Sequence, residues 1–490
     1  MNRYERLACE LRSRIEEGYY QAGERLPSVR DLVEAHRVSI STVQHAYQLL
    51  ESGGLIEARP RSGHFVRPRR ERPPAPSIGR AMQRPVEVSQ WDQVREGTCL
   101  LPNSKTFYLG RGMPDIDAPT LRPLLRALSR HARRQSLVTL NYDSLQGQRS
   151  LREQIARLAL GAESHLHPDD LVITTGCHEA ISIAMRAVGE PGAIIAVDSP
   201  SFYGSLQAIR SYGMKVMEIP TDPSRGISLD ALELALEQWP IRAIQVTPSC
   251  NNPLGYGMPL EHRRALYALA QRFDVMIIED DVYGDLEYAF PRQPTIKSLD
   301  TDGRVLLCGS FSKALAPGLR IGWIAPGRHF ERAMHMKYVG TGSTATHAQL
   351  ALADFIEEGH YDPHLRRMRA QYLRNRDAML DAVAAHFPAS TYATRPQGGF
   401  LLWLECAPEL DSIALNQRLA EQKVRIAPGP MFSAVGKHRN CLRINYATFD
   451  TQVEAAVARV GAEVTRMLEE AGQAPLAQLA EDAGAAEAAR

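Results

Sequence analysis

The sequence predicts a multidomain fold in which a small helical domain with a β-hairpin precedes a much larger α/β domain. The 490 residues exceed the usual size of one hydrophobic core, so two or more domains are expected. The apolar pattern also changes along the chain. It begins with helical periodicity and, after Lys105, becomes short apolar runs that alternate with helical stretches, which is typical of an α/β sheet.

The composition is that of an ordinary globular protein. Lys and Arg total 57 against 56 Asp and Glu, which gives no overall bias toward nucleic acid or membrane. From Arg59 to Arg84, however, arginines greatly outnumber the single acid, Glu71. Such a run is typical of a solvated linker or, beside a DNA-binding domain, of a phosphate contact.

The sequence contains no sign of export, of a membrane span or of a metal site. The N-terminus is charged and lacks the apolar core of a signal peptide, and no apolar run approaches the length of a membrane span. The seven cysteines are scattered without a Cys-x-x-Cys pair, so neither a disulfide framework nor a zinc site is indicated. We therefore expect a cytoplasmic protein with reduced thiols, no metal and no membrane partner.

Three helices are predicted at the N-terminus. The first follows from apolar residues at helical spacing and stops at Gly18. Ser28 begins a capping-box pattern that opens a second helix through Ala35. Ser39 can cap a third helix that ends near Ser52. The side chains expected to face outward on this third helix are short or polar: Ser41, Thr42, Gln44 and His45.

Two strand-like runs, 55–58 and 64–66, flank the basic segment 59–63. Three helices and a hairpin with a basic tip predict a winged helix-turn-helix. The hydroxyl and amide groups of the third helix fit base edges, and the wing brings Arg59 and Arg61 to the DNA backbone. A small helical module used for protein contacts is the alternative on pattern alone.

The N-terminal segment resembles the GntR-type winged helix over its entire length. The resemblance rests on residues 23–32, 38–43, 54–56 and 62–66. It implies DNA contacts at the following positions: Arg25, Ser28, Arg30 and Thr42. It also implies that Gly63 lets the wing tip enter the minor groove. We place this DNA-binding domain at residues 1–68.

A linker is expected at residues 69–105, where several prolines lie among arginines and leave little prospect of a packed core. The larger domain is expected at 106–468. The remaining segment, 469–490, is rich in alanine and acidic residues and predicts a flexible tail, frayed or weakly helical.

The stretch from Gly309 to Arg320 is the most informative part of the chain. It places Lys313 in a loop of small residues, with the hydroxyls of Ser310 and Ser312 before it and Arg320 seven residues after it. A lysine can form a Schiff base with an aldehyde cofactor, and hydroxyls and an arginine can hold a phosphate. The stretch resembles the lysine motif of class I/II aminotransferases of fold type I, which bind pyridoxal 5'-phosphate (PLP).

That resemblance implies a large domain with a mixed, mostly parallel sheet and a smaller α+β C-terminal domain. It also gives roles to residues beyond the lysine loop. A buried strand at 275–279 ends beside Asp280, which matches the partner of the pyridine nitrogen. Tyr283 and Asn252 match the groups that bond the phenolate oxygen. Asp281 is the competing nitrogen partner, although the Asp-x-x-Tyr spacing favours Asp280.

The phosphate seat is expected where a strand at 171–174 turns into a helix that begins at Cys177. Backbone N–H groups at a helix N-terminus attract a phosphate. By resemblance, Cys177 and His178 cradle the phosphate. Cys177 departs from the hydroxyl or glutamine often found there, which leaves its backbone contact possible and its side-chain contact open.

Four further positions match the family. Phe202 matches the aromatic residue that stacks on the pyridine ring, with Tyr203 as the alternative. Tyr142 matches the tyrosine that reaches the phosphate of the neighbouring subunit, which implies a homodimer. Arg443 matches the arginine that binds an α-carboxylate, and Gly112 lies where the N-terminal segment closes over it.

A GntR-type domain joined to such a body resembles the MocR subfamily of bacterial transcription regulators from end to end. The resemblance implies a PLP-binding regulator that binds paired half-sites on double-stranded DNA, is associated with the nucleoid when bound, and senses PLP or a small amine or amino-acid effector through Lys313. The alternative is a catalytically competent aminotransferase that carries a DNA-binding domain. The complete winged helix and the arginine-rich linker favour the regulator, because transamination needs neither.

Overall fold

The structure, a computed structural model, describes residues 3–16, 18–52, 55–59, 62–66, 72–76, 84–89, 91–98, 106–134 and 140–488. The chain forms two compact units, Met1–Arg72 and Pro73–Arg490. The boundary between them falls within the segment that the sequence predicts to be a linker.

The smaller unit is a winged helix, as predicted. Its elements are α1 Arg3–Glu16, α2 Val29–His36, α3 Ile40–Ser52, β1 Ile56–Arg59 and β2 Gly63–Val66. The two strands pair antiparallel, with Arg59 opposite Gly63. Arg59 therefore ends β1, one residue beyond the strand expected from sequence. Ser28 and Asp31 form the expected capping box at the start of α2.

The larger unit is built on an eight-stranded sheet. Its strands are β4 Val172–Thr174, β5 Ile194–Ser199, β6 Lys215–Asp222, β7 Gly226–Ile227, β8 Ile241–Val246, β9 Met276–Asp280, β10 Val305–Ser310 and β11 Gly322–Ala325. Their order is β4-β11-β10-β9-β8-β5-β6-β7. The five strands from β10 to β6 run parallel, whereas β11 and β7 are antiparallel to their neighbours. The mixed, mostly parallel sheet of fold type I is confirmed.

Helices cover both faces of this sheet, and its central strands are apolar along their length because both faces are buried. The helices of the larger unit are α4 Trp91–Thr98, α5 Arg122–Arg134, α6 Arg149–Ala159, α7 Cys177–Val188, α8 Tyr203–Ser211, α9 Leu229–Gln238, α10 Leu260–Arg272, α11 Phe330–Gly340, α12 Thr346–Glu357, α13 Tyr361–His386, α14 Ser412–Glu421 and α15 Thr451–Ala488. Within the described residues, no helix combines the length and the apolar composition that crossing a membrane requires.

The C-terminal part of the larger unit contains a second, antiparallel sheet. Its strands are β12 Tyr392–Ala393, β13 Leu401–Glu405, β15 Ala427–Pro428 and β16 Cys441–Asn445, in the order β12-β13-β16-β15. A short parallel pair joins β3 Phe107–Tyr108 to β14 Val424–Arg425. This pairing brings the start of the larger unit beside its C-terminal part.

The predicted linker is more ordered than its composition suggests. Val86 exchanges backbone hydrogen bonds with Val216, and Val88 and Val94 are buried in hydrophobic clusters of the larger unit. The expectation of little packing is therefore wrong for residues 86–89 and 91–94, because three valines among the arginines and prolines supply enough apolar surface to dock. At the other end of the chain, α15 continues as a helix through the segment predicted to be a frayed or weakly helical tail.

Candidate functional site

The predicted site residues of the larger unit converge at the carboxyl ends of the parallel strands. Asp280 is the last residue of β9 and Ser310 the last of β10, with Lys313 three residues further on. The turn after β4 leads directly into α7 at Cys177. In open α/β sheets this edge is where ligands bind. The fold thus assembles residues that lie far apart in sequence.

Lys313 is held close to the backbone of an N-terminal segment of the larger unit. Its Nζ donates a hydrogen bond to the Gly112 carbonyl at 2.6 Å. Burial, together with the nearby charges of Arg443 and Arg320, lowers the pKa of Lys313 to about 8, although Asp280 opposes them. The neutral amine is therefore far more populated near neutral pH than in an ordinary lysine. A neutral amine is the form that attacks a carbonyl.

Asp280 and Asp281 have different partners, which separates the two candidates. Asp280 is 3% exposed and accepts hydrogen bonds from the backbone N–H of Val282 at 3.2 Å and the thiol of Cys177 at 3.4 Å. Burial raises its pKa to about 6. Asp281 is instead paired with the guanidinium of Arg292. The carboxylate of Asp281 is thus already neutralised, whereas both of these donors to Asp280 are uncharged.

Arg443 lies at the base of the site, on β16. It is 1% exposed and donates to Asn252 Oδ1 at 2.7 Å and to the Gly110 carbonyl at 2.6 Å. Its Nε is buried without a hydrogen-bond partner among the described residues. The guanidinium thus retains a free donor that could serve a ligand carboxylate.

Two buried hydroxyls near Lys313 also lack a partner among the described residues: Tyr283 Oη and Ser312 Oγ. A Cβ added to Gly112 would lie 3.5 Å from Lys313 Nζ and 3.6 Å from Tyr283 Oη, so Gly112 lies beside both groups. Burial raises the pKa of Tyr283, so its hydroxyl stays protonated and can donate. Buried polar groups are rarely left unpaired, so these two hydroxyls are available to bond a ligand.

The start of α7 is a candidate seat for an anion. Gly176 precedes the helix with a φ of 83° and offers no side-chain cap, so the first N–H groups are not capped by it. Arg320 Nη2 donates to the Thr175 carbonyl at 3.0 Å. A Cβ added to Gly176 would lie 2.5 Å from that same nitrogen, so only glycine allows this approach. A helix N-terminus beside an arginine is suited to a phosphate.

The structure clarifies the positions of Cys177 and His178. The Cys177 thiol donates to Asp280, so only the backbone N–H of Cys177 remains to contact a phosphate in the seat. His178 is exposed and lies edge-on to Phe202, with ring centroids 6.3 Å apart. Phe202 and Tyr203 are 4.8 Å apart, and Tyr203 also packs against Phe432. The stacking role of Phe202 stays a prediction, as does that of Tyr203.

Tyr142 does not join this group within one chain. Its side chain is 93% exposed, and its backbone N–H is held by the side chain of Asn141. That exposure suits a residue that acts in another subunit, and the role stays a prediction.

The residues present fit PLP. The amine of Lys313 suits the aldehyde of PLP, and the buried carboxylate of Asp280 suits its ring nitrogen. The free hydroxyl of Tyr283 suits the phenolate oxygen, and the seat at the start of α7 suits the phosphate. Among the described residues, no group of three or more His, Cys, Asp or Glu side chains is placed to hold a metal ion.

The winged helix exposes most of the side chains predicted to contact DNA: Arg25, Arg30, Ser41, Gln44, His45 and Arg59. Thr42 is half-buried and shares a hydrogen bond with Ser39 at 2.8 Å, and Ser28 is occupied in the capping box. Arg61 lies outside the described residues.

Contacts within the wing define the position of its basic side chains. Arg59 pairs with Glu57 at 2.7 Å and stacks on Phe65 at 4.4 Å. Arg25 forms a β-bridge with Phe65, and a Cβ added to Gly63 would lie 3.1 Å from Arg25 Nε. The segment before α2 and the wing therefore present one basic surface, which the sequence pattern did not predict.

Sequence reasoning missed Arg292, which neutralises Asp281, and the buried pair of Lys337 and Glu179 behind the seat. An arginine in a proline-containing loop and a lysine within a helix carry no local signal of such roles. Both become visible only when the fold brings the partner carboxylates to them.

Comparison with known proteins agrees with both parts of the structure. Residues 105–460 match the family of class I and II aminotransferases, and residues 3–66 match the gntR family of bacterial regulatory proteins. The chain is 51% identical over 470 residues to the uncharacterized HTH-type transcriptional regulator YjiR of Escherichia coli, which covers 96% of this chain and 100% of that protein. It is 32% identical over 436 residues to the probable rhizopine catabolism regulatory protein MocR of Rhizobium meliloti, which covers 86% of this chain and 85% of that one.

Among solved structures, the α-aminoadipate aminotransferase LysN of Thermus thermophilus, complexed with N-(5'-phosphopyridoxyl)-L-leucine, is similar with a TM-score of 0.71 and 28% identity. The match covers 78% of this chain and 96% of that one. A multiple substrate aminotransferase from Thermococcus profundus matches with the same TM-score and 27% identity, over 78% and 96% of the two chains. The chain therefore belongs to the MocR subfamily of GntR-type regulators, in which a winged helix-turn-helix domain precedes a domain of the class I/II aminotransferase family.

Proposed function

We propose that this protein is a PLP-binding, sequence-specific transcription regulator whose larger domain senses PLP or a small amine or amino acid through Lys313. One observation carries the proposal. A lysine with its pKa lowered to about 8 lies among unpaired polar groups that suit PLP, in a chain that also carries a complete winged helix. Operator affinity measured with and without PLP tests it.

In this proposal each part of PLP has its own partners. PLP, when bound, supplies a reactive aldehyde on an electron-withdrawing ring. Lys313 would hold it covalently through its amine, and Asp280 would keep the ring nitrogen protonated. The remaining contacts come from residues that position the phosphate, the phenolate oxygen and the ring: Arg320, Ser310, Ser312, Cys177, His178, Tyr283, Asn252 and Phe202.

We infer that the effector carries a carboxylate. Arg443 is buried and, among the residues that the structure describes, its Nε is unpaired and its hydrogen-bond acceptors are two neutral groups, Asn252 and the Gly110 carbonyl. A carboxylate could displace a neutral acceptor and form a stronger, charge-assisted pair. Loss of the hydrogen bond from Arg443 to the Gly110 carbonyl could move the Gly110–Gly112 segment. That segment also accepts a hydrogen bond from Lys313, at the Gly112 carbonyl. A ligand changes DNA binding only if it has different affinities for the two arrangements.

We further propose a homodimer in which Tyr142 of each chain reaches the phosphate of the other. The support is its exposure of 93% together with its match to the family tyrosine. A dimer carries two winged helices and therefore engages paired half-sites on double-stranded DNA. A PLP-loaded monomer in light scattering would contradict this arrangement.

The pKa of Lys313 predicts the pH dependence of cofactor attachment. The rate at which PLP attaches to the apo-protein should rise with pH up to about 8 and level off above it. Protonated lysine cannot attack the aldehyde, and the neutral form predominates above the pKa. Stopped-flow absorbance over a pH series measures this. A rate that still climbs toward about pH 10, the value for an ordinary lysine, would contradict it.

The exposed arginines of the winged helix predict a salt-dependent contact. Arg30→Ala should weaken binding to operator and scrambled duplexes alike and should reduce the salt slope by about one, because fewer counterions are released. Changes at Gln44 or His45 should instead alter base preference by about 1–3 kcal/mol. Titrations of both duplexes at several salt concentrations separate the two effects.

Arg12→Ala is the control for Arg30→Ala, since Arg12 is exposed on α1 and belongs to neither the proposed face nor the wing. It should leave operator affinity unchanged. Equal losses for the two variants would mean that the proposed DNA face is wrong.

The second candidate is a catalytically competent aminotransferase with an attached DNA-binding domain. The completeness of the aminotransferase residue set in one site favours it: Asn252, Asp280, Tyr283, Lys313, Arg320 and Arg443. Repeated exchange of amino groups with a keto acid would support it.

A further inference from the structure

Lys337, on α11, is a fully buried cation that the proposed function does not yet use. Its side chain is 0% exposed. Its Nζ donates to both carboxylate oxygens of Glu179, at 3.1 and 3.2 Å, and to the hydroxyls of Thr341 and Thr344, each at 2.9 Å. A buried ammonium is costly unless its hydrogen bonds are satisfied, and here both a charge partner and two hydroxyls satisfy it.

Glu179 connects this lysine to the phosphate seat. It lies in the first turn of α7, two residues after Cys177, and its Oε2 accepts the backbone N–H of Thr175. The Thr175 carbonyl in turn accepts Arg320. The backbone N–H and the backbone carbonyl of Thr175 are thus both occupied, the first by Glu179 and the second by Arg320. The turn that leads into the helix N-terminus is fixed from two sides.

The charge of Lys337 also matters at the seat. Glu179 is a carboxylate close to the place where a dianionic phosphate would bind, and on its own it would repel the phosphate. The ammonium of Lys337 neutralises it. Because the pair is shielded from solvent, salt screens this interaction less than it would a surface pair.

On its other side, Lys337 reaches the loop that carries Tyr142. The Thr344 carbonyl accepts Gln349 Nε2 at 2.8 Å, and the same nitrogen is 3.3 Å from Asp143 Oδ2. Thr346 also donates to Asp143 Oδ2, at 3.0 Å. A chain of buried and partly buried hydrogen bonds therefore runs from the Thr175 turn to Asp143, the residue next to Tyr142.

We propose that Lys337 is a positioning residue of the phosphate seat: it neutralises and orients Glu179, which holds the Thr175–Gly176 turn, and it ties that turn to the loop bearing Tyr142. This inference rests on the proposed binding of PLP. It assigns to Lys337 discrimination for the phosphate group, not contact with the cofactor.

The test compares the affinity of the apo-protein for PLP with its affinity for pyridoxal, which has the aldehyde and ring but no phosphate. Lys337→Met should reduce the ratio of the two affinities by about tenfold or more, the equivalent of one charge-assisted hydrogen bond. Pyridoxal affinity should change little. A structural role alone would lower both affinities together and leave their ratio unchanged, which would overturn the proposal.

Two further variants complete the design. The E179Q/K337M double variant removes the carboxylate that Lys337→Met leaves unpaired, so it should keep the fold if the single variant does not. Its ratio of PLP affinity to pyridoxal affinity should remain at least about threefold below wild type, because the Lys337–Glu179 pair no longer holds the turn. A wild-type ratio there would overturn the proposal. Arg332→Met is the control, since Arg332 lies on the same helix in an exposed pair with Glu190 and should leave the ratio unchanged.

The outcomes also distinguish this inference from the function on which it rests. Wild-type protein that binds neither compound would overturn both the proposed function and the role of Lys337. Wild-type protein that prefers PLP, together with a Lys337→Met variant that shows the same preference, would overturn only the role of Lys337.

Discussion

Lys313→Ala should abolish covalent attachment of PLP to the protein. Lys313 is the amine that the fold places at the strand ends beside Asp280, and burial with two nearby arginines lowers its pKa to about 8. Without it, the absorption band of the linked cofactor should disappear. Some non-covalent binding should persist, because the seat formed by Arg320 and the start of α7 remains.

Borohydride reduction followed by peptide mapping measures this result directly. In the wild type the modified peptide should contain Lys313, and in the variant no lysine should be modified. Lys215→Ala is a suitable control, since Lys215 is exposed at the start of β6 and should not change the labelling. A modified peptide that maps to another lysine would overturn the site.

Asp280→Asn should weaken PLP binding by about 10- to 100-fold and change the absorption spectrum of the bound cofactor. A carboxylate that bonds a protonated ring nitrogen contributes about 1.5–3 kcal/mol, and the neutral amide cannot keep that nitrogen protonated. The apo-protein already raises the pKa of Asp280 to about 6 by burial, so a cationic partner should be strongly favoured there.

Asp281→Asn is the matched control, because it changes the neighbouring carboxylate in the same way. Asp281 is paired with Arg292, which also contacts Asp285 at 3.1 Å and therefore keeps one partner in the variant. PLP affinity and the spectrum should stay close to wild type. The reverse pattern, in which Asp280→Asn keeps the wild-type PLP affinity and spectrum and Asp281→Asn loses them, would assign the ring nitrogen to Asp281.

The sequence predicts well where several candidate site residues lie relative to the ends of helices and strands. Asp280 lies at the end of an apolar strand, Cys177 begins a helix after a second apolar strand, and Lys313 lies in a loop of small residues. The structure places each of them as expected. These positions are set by local patterns and by the order of strands in the sheet, both of which can be inferred from a single sequence.

Contacts between distant segments were not predictable in the same way. The pairing of Asp281 with Arg292, the burial of Lys337 against Glu179 and the contact between the Cys177 thiol and Asp280 each depend on side-chain packing across the fold. The packing of the linker was likewise not predictable from local pattern. Its arginines and prolines dominated the composition, whereas a few valines determined where it docks.

The measurement that tests the central proposal most directly is a titration of PLP-loaded full-length protein with candidate amino acids, with cofactor absorbance and operator affinity recorded on the same sample. A regulator should show a spectral change that saturates at one ligand per site, with a parallel change in operator affinity. Operator affinity that is identical in the apo, loaded and ligand-saturated forms, together with repeated consumption of a keto acid, would contradict it.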